Sequence, residues 1–210
     1  HRDLHRVDRR QRQMCIRDSG NSAMAGGAGT AAGASYEFSD TGFAIAVGYT
    51  GAGSSTSGLM TKEGQDSFGG QLSYAADSYG ASVTYNITET SATAETTYWG
   101  LNGYWTPAET GSMPSVSVGY ETGDPSGTAA DTEHYFIGLQ WDEVGPGTLG
   151  AAVGSNGALT DAQEDLSMYE VFYSYPLNDG MTITPAVFVQ EQAGATEDLT
   201  GVMIKTSFSF

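Results

Sequence analysis

The sequence predicts an all-β fold, an antiparallel up-and-down transmembrane β-barrel to which this chain contributes about eleven strands. Three observations predict this class. Long segments alternate between apolar and small polar residues, short and long connections alternate between those segments, and aromatic residues recur at a fixed spacing. The composition, with 29 glycines among 210 residues and abundant Ser, Thr and Tyr, favours strands over helices.

The eleven predicted strands are long, most of them close to ten residues. Strands of soluble proteins centre on about 5–6 residues, whereas a tilted strand that crosses a membrane needs about 9–11. The segments are 30–38, 42–50, 67–75, 79–88, 96–105, 113–121, 132–141, 147–155, 167–175, 181–190 and 199–210.

The connections between these strands alternate in length. Short turns such as "SDTG", "DS", "PAETGS", "DEVGPG" and "PLNDG" occupy every other junction. Longer polar loops such as "GAGSSTSGLMTKEGQD", "TETSATAE" and "EQAGATED" occupy the remaining junctions. This order predicts that all the long loops lie at one end of the sheet, as in outer-membrane barrels with periplasmic turns and extracellular loops.

Aromatic residues recur six positions apart in six of the strands, with aliphatic residues between them on the same parity. This order is typical of two aromatic girdles that flank an apolar band facing lipid. The pairs are Phe43 and Tyr49, Phe68 and Tyr74, Tyr79 and Tyr85, Trp99 and Trp105, Tyr135 and Trp141, and Tyr169 and Tyr175.

The opposite parity carries small, neutral and acidic residues. Only 16% of the chain is charged, against about 25% in ordinary soluble domains, which favours a water-filled lumen over the surface of a soluble protein. Because carboxylates outnumber bases on this parity, we predict a lumen that prefers cations. The residues predicted to line the pore are Glu37, Gln71, Asn102, Glu121, His134, Gln140, Glu170, Gln190 and Lys205.

Two other classes are alternatives: a soluble or surface-attached β-sandwich used for adhesion, and a barrel enzyme. An enzyme would use His134 beside Glu133 as an acid/base pair, but the sequence indicates neither a nucleophile nor an orienting partner. The acidic segments Asp161–Asp165 and Gly123–Glu133 match no defined cation-binding loop. We therefore predict a non-enzymatic protein with no catalytic residue, metal, cofactor or nucleic-acid partner.

The first nineteen residues differ in composition from the rest of the chain. They hold six of the eight basic residues and the only cysteine, Cys15. After Ser19, 22 acids stand against 2 bases, a formal charge of −20. A basic arm for nucleic acid or anionic lipid is one interpretation. The segment resembles a translated sequencing adapter, so we predict that residues 1–19 are a non-native or artefactual head and that 20–210 are the C-terminal part of an outer-membrane β-barrel.

The C-terminal stretch carries a family resemblance. "SYPLNDGMTITPAVFVQ", from Ser174 to Gln190, followed by a loop and "GVMIKTSFSF", resembles the C-terminal hairpin of cyanobacterial outer-membrane porins related to the OprB carbohydrate-selective family. "SFGGQLSYAADSYGASVTYN", from Ser67 to Asn86, resembles the repeating hairpins of that family. The resemblance implies a sixteen-stranded passive pore in the bacterial outer membrane, in contact with lipid, that passes small hydrophilic solutes and ions. A homotrimer is the assembly to test.

The same resemblance implies an S-layer homology domain ahead of the barrel, which these residues do not include. Because bacterial barrels have an even number of strands, we expect the partner of the first predicted strand to lie outside this sequence. The alternating aromatic end, with Phe208 and Phe210, resembles the signal that the barrel-assembly machinery recognises. Lys205 departs from that signal, which often has glycine at this position.

Overall fold

The computed structural model describes residues 30–109, 112–155, 159–160 and 166–209. The predictions for the head (residues 1–19), for Phe210 and for the segment Asp161–Asp165 lie outside the described residues. No helix in the described part of the chain is long and apolar enough to cross a membrane.

Within the described residues, twelve strands form in chain order, eleven long and one of two residues. All eleven predicted strands are confirmed, with boundaries that shift by a few residues. The strands are β1 (Thr30–Glu37), β2 (Phe43–Gly51), β3 (Asp66–Ala75), β4 (Tyr79–Ser91), β5 (Ala94–Trp105), β6 (Ser115–Pro125), β7 (Thr132–Val144), β8 (Gly147–Ser155), β9 (Leu159–Thr160), β10 (Ser167–Asn178), β11 (Met181–Gln190) and β12 (Leu199–Phe208).

One antiparallel sheet contains every strand. Each long strand pairs with its neighbours in sequence from β1 to β8 and then through β10, β11 and β12, while β9 pairs with the loop end of β7. This up-and-down order confirms the predicted fold class, and the described strands do not divide into the two packed sheets of the sandwich alternative. Within the described residues β1 and β12 pair on one side only, so the sheet is open, as expected of an incomplete barrel.

The two parities of the strands form two continuous faces of this sheet. Directly opposed residues of an antiparallel pair lie on one face, and the register keeps the apolar parity together from strand to strand. For example, Leu72 is opposed to Val83 and Val83 to Leu101. We call this side the apolar face and the other side the polar face.

The faces differ in crowding as well as in chemistry. On β10, Val171 on the apolar face is 52% exposed, whereas its neighbour Phe172 on the polar face is 8% exposed. A sheet that curves towards one side crowds the side chains there and spreads those on the other side. The sheet therefore curves towards its polar face.

The connections have the predicted alternation of ends, but several of them differ in length from the prediction. β4 and β5 continue to Ser91 and Ala94, so the loop predicted at "TETSATAE" is a hairpin whose turn is Ala92 and Thr93. Directly opposed Thr88 and Thr96 extend the ladder there, because β-branched residues favour strands even when they are polar. At the turn end, the connection 106–114 between β5 and β6 is longer than predicted.

The loop between β2 and β3 has internal structure. It contains a short α-helix, Ser54–Ser57, and a 3₁₀ turn, Lys62–Gly64. The Tyr49 hydroxyl donates a hydrogen bond to Asp66 Oδ1 at 3.0 Å and accepts one from the Met60 amide at 3.2 Å. These bonds hold the loop against the end of the sheet.

Pro185 lies inside β11 and interrupts its ladder with β10. Pairing runs from Met168 opposite Gln190 to Phe172 opposite Ala186, and resumes at Tyr175 opposite Ile183. Proline has no N–H to donate to a ladder. At the gap a side-chain hydrogen bond from Thr184 Oγ1 to Ser174 Oγ, at 3.4 Å, connects the two strands on the polar face.

Candidate functional site

The aromatic residues of the apolar face pack against one another across the strands. Ring centroids are 4.8 Å apart for Phe43 and Tyr74, and 5.1 Å apart for Tyr49 and Phe68. Both pairs are directly opposed in the register between β2 and β3, six residues apart along each strand. The predicted spacing thus gives two aromatic rows, one towards each end of the strands. Tyr85 and Trp99 continue this packing on β4 and β5 at 4.7 Å.

Aliphatic side chains fill the band between the aromatic rows, and they are exposed. Val47 is 61% exposed and Leu101 is 56% exposed. A contiguous apolar surface of this extent is rare on a protein surrounded by water. The apolar face is therefore suited to contact lipid acyl chains. Other exposed members are Ile45, Leu72, Val118, Ile137, Val171, Val187, Val202 and Ile204.

The structure places all nine residues predicted to line the pore on the polar face. The register connects them: Asn102 is opposed to Gly119, Gln140 to Gly150, and Gln190 to Met168. They are spread along the sheet rather than gathered in one cluster. The full set is Glu37 on β1, Gln71 on β3, Asn102 on β5, Glu121 on β6, His134 and Gln140 on β7, Glu170 on β10, Gln190 on β11 and Lys205 on β12.

One pair in this set does come together. Glu121 and His134 are directly opposed on β6 and β7, and both are buried. Glu133 is the direct neighbour of His134 in sequence, but it lies on the apolar face, opposite Thr122. Because adjacent residues of a strand point to opposite sides, Glu133 and His134 do not form the acid/base pair considered for an enzyme.

Asp142 is a polar-face carboxylate that the sequence analysis missed. Its Oδ1 accepts hydrogen bonds from Gln140 Nε2 at 2.8 Å and from Thr148 Oγ1 at 3.4 Å. The residue was assigned to the turn "DEVGPG", but β7 extends to Val144. Its parity with Gln140 is the signal that would have identified it.

Aromatic rings also occur on the polar face, where each covers a glycine on the adjacent strand. Phe136 is directly opposed to Gly119, Phe172 to Gly150 and Phe188 to Gly201. A Cβ built on any of these three glycines would lie 2.2 Å from a ring carbon. The rings therefore occupy the space that a side chain would need, the arrangement by which an aromatic residue protects a cross-strand glycine. Tyr104 over Gly80 and Tyr98 over Gly123 repeat it.

No cluster of three or more His, Cys, Asp or Glu side chains suited to a metal ion occurs within residues 30–109, 112–155 and 166–209.

Comparisons with known proteins agree with this geometry. A family model described as Gram-negative porin matches residues 13–193. Among curated proteins, none matches this chain. Among solved structures, an anion-selective porin from Comamonas acidovorans is similar, with a TM-score of 0.64, 16% identity, and coverage of 84% of this chain and 58% of the porin.

A mutant porin of Rh. blastica is also similar, with a TM-score of 0.58 and 13% identity, over 86% of this chain and 55% of the porin. At these identities the likeness concerns the fold, and this chain spans less than two thirds of the length of either porin. The family model, in contrast, covers most of the sequence. The chain therefore belongs to the Gram-negative porin family and is a protein of the bacterial outer membrane.

Proposed function

We propose that these strands form part of the wall of a pore through which small hydrophilic solutes and ions diffuse passively, with a preference for cations. The observation that carries the proposal is the division of one sheet into two faces. The apolar face exposes aliphatic side chains between rows of aromatic rings, as lipid requires. The polar face, towards which the sheet curves, carries hydrogen-bonding side chains that suit a water-filled channel.

The cation preference is supported by the charges on the polar face. Within the described strands these are four carboxylates, Glu37, Glu121, Asp142 and Glu170, against one lysine, Lys205, besides His134. A lumen lined by one sign of charge raises the local concentration of counter-ions and repels co-ions until salt screens the field. The anion-selective porin resembles this chain in fold at 16% identity, and selectivity depends on the lumen side chains, which a shared fold does not fix.

The test is the reversal potential of the full-length porin in a planar bilayer under a potassium chloride gradient. We expect a potential that indicates potassium preference and grows as the salt is diluted, because the Debye length increases from about 3 Å at 1 M to about 30 Å at 0.01 M. A pore that prefers chloride, or that shows no preference in dilute salt, would contradict the proposal.

Narrower features belong to the same proposal. Assignment to the cyanobacterial porins related to OprB, with carbohydrate among the solutes, is supported by the resemblance of the C-terminal hairpin. Recognition of Phe208 and Phe210 by the barrel-assembly machinery and assembly as a homotrimer are likewise proposed. Phe208 is on the apolar face, opposite Met181, and 60% exposed, so its ring is accessible at the edge of the sheet.

A further inference from the structure

The polar face has one apolar patch, on β10, β11 and β12. It contains the three buried hydrophobic residues of the described chain: Met168 and Phe172, each 8% exposed, and Ala186, 3% exposed. Phe188 and Met203 belong to the same face, since Met203 is opposed to Ala186 and Phe188 is two residues from it. We call these five residues, with Glu170 among them, the Glu170 patch. An apolar surface is unexpected in a channel for hydrophilic solutes.

The residues directly across from Glu170 and those two positions away on its own strand are apolar. It is directly opposed to Phe188 on β11 and to Ala152 on β8. Cβ atoms of directly opposed residues are about 5 Å apart. Met168 and Phe172 flank it on its own strand, about 7 Å away by the rise of a strand. Glu170 itself is 9% exposed.

The two rings of the patch each lie over a glycine of an adjacent strand. Phe172 lies over Gly150 on β8, and Phe188 lies over Gly201 on β12. In each case three ring carbons come within 3 Å of the position that a glycine Cβ would take. Glu170 keeps 9% of its surface exposed, so a ligand reaches it from the polar face through this remaining opening.

The charge of Glu170 has no basic residue opposite it. Its cross-strand partners are Phe188 and Ala152, whereas Lys205, on the same face, is opposed to Thr184. A carboxylate with apolar neighbours has a weakly screened field. A bare inorganic ion such as potassium has no hydrocarbon part to place against the apolar groups. An ammonium group attached to a hydrocarbon chain can use both the charge and the apolar surface, including the face of an aromatic ring.

We propose that the Glu170 patch is a binding site, within the pore, for small organic cations that join an ammonium group to an alkyl or aryl group. The inference rests on the proposed function, because it assigns a solute class to the same polar face. The ammonium group approaches Glu170, and the hydrocarbon part lies against Phe188 and the methionines. Glu121, on the same face, has a polar partner instead, since it is opposed to His134.

The experiment measures block of the potassium current through single channels of the full-length porin by two cations. Butylammonium is the probe, and 2-methoxyethylammonium, which has the same charge and the same number of heavy atoms, is its polar control. We expect butylammonium to block at a lower concentration. Glu170→Gln should weaken block by butylammonium about five- to tenfold, the value of one charge contact at a few ångströms near water. Phe188→Leu should weaken it about two- to fivefold, the value of an exposed cation–π contact.

Glu37→Gln is the matched control, since it removes the same charge from the same face at a site opposed to Ala44. It should lower potassium preference as Glu170→Gln does, weaken block by the two organic cations to the same extent, and weaken block by butylammonium less than Glu170→Gln does. Equal block by the two cations in the unmodified porin, as would occur if another segment of the protein covered the patch, overturns the inference. Equal loss of block in the two glutamine variants also overturns it. Conductance and reversal potential in potassium chloride come from the same recordings, so failure of the proposed function would be seen separately.

Discussion

The apolar and polar faces of the sheet use aromatic residues in opposite ways. On the apolar face aromatic rings pack against aromatic rings, as Phe43 does with Tyr74, and they remain exposed at the surface. On the polar face Phe172 and Phe188 each lie over a glycine of the next strand. Aromatic residues thus add exposed hydrophobic surface on the apolar face, whereas on the polar face they fill the space above glycines.

This difference indicates that the environment of each face, rather than the hydrophobicity of single residues, determines the sequence pattern. On the outer side of a curved sheet the side chains spread apart, so bulky rings fit there and contact lipid. On the inner side the side chains converge, and little space is left for bulky rings. Glycines opposite aromatic residues provide that room. Substitutions on the two faces should therefore destabilise the protein for different reasons. On the apolar face a charged side chain would contact lipid, and at a polar-face glycine a larger side chain would collide with an aromatic ring.

The largest effect is expected from a charge placed on the apolar face. Leu101→Arg should lower the free energy of unfolding by about 2–4 kcal/mol, the cost of a basic residue facing lipid near the bilayer midplane. Asn102→Arg is the matched variant, one residue further along β5 on the polar face. It should change the free energy of unfolding by about 0.5 kcal/mol or less. Denaturant unfolding of both variants in lipid vesicles measures the difference. Similar losses in the two variants would show that the faces are wrongly assigned.

A smaller effect is expected from filling the space above a polar-face glycine. Gly150→Ala places a Cβ 2.2 Å from the Phe172 ring, so the ring must move towards the lumen, at a cost of about 1–3 kcal/mol for overpacking. Gly100→Ala is the control, because its Cβ would meet Thr84 at an ordinary 3.7 Å. Unfolding in vesicles gives the stabilities, and single-channel conductance reports a narrower pore for Gly150→Ala alone. Equal stability of the two variants would contradict the role assigned to the glycine.

Much of the sheet could be predicted from the sequence because the alternation that indicates a strand lies within that strand. Alternation in segments such as Phe43–Gly51 and Ala94–Trp105 gives the strands and both faces, and it places Glu37 and Lys205 on one face. Cross-strand register is not local, since periodicity within one strand does not determine which residue of the next strand lies opposite. For this reason the opposition of Glu121 to His134 and of Phe172 to Gly150 emerged only from the structure.

Strand ends were predicted less well, for a related reason. Several polar residues of β4 and β5 lie beyond the aromatic row, and their hydropathy is that of loop residues. In the structure Thr88 and Thr96 pair in the ladder, and the Thr90 hydroxyl donates a hydrogen bond at its end. Asp142 was likewise placed in a turn, although it accepts hydrogen bonds on the polar face. Parity along β10 alone places Met168, Glu170 and Phe172 on one face. That the residues across from Glu170 are apolar could be seen only from the pairing of β10 with the neighbouring strands.

The central claim is that the apolar face contacts lipid and the polar face contacts water, and spin labels along β5 test it most directly. With any native cysteines replaced by serine, single cysteines at positions 99–104 would carry the label in the full-length porin reconstituted in vesicles. The account predicts an alternation of period two: labels at Trp99, Leu101 and Gly103 relax with oxygen dissolved in lipid, and labels at Gly100, Asn102 and Tyr104 relax with a water-soluble nickel complex. Equal exposure to both reagents at every position, or the opposite alternation, would contradict it.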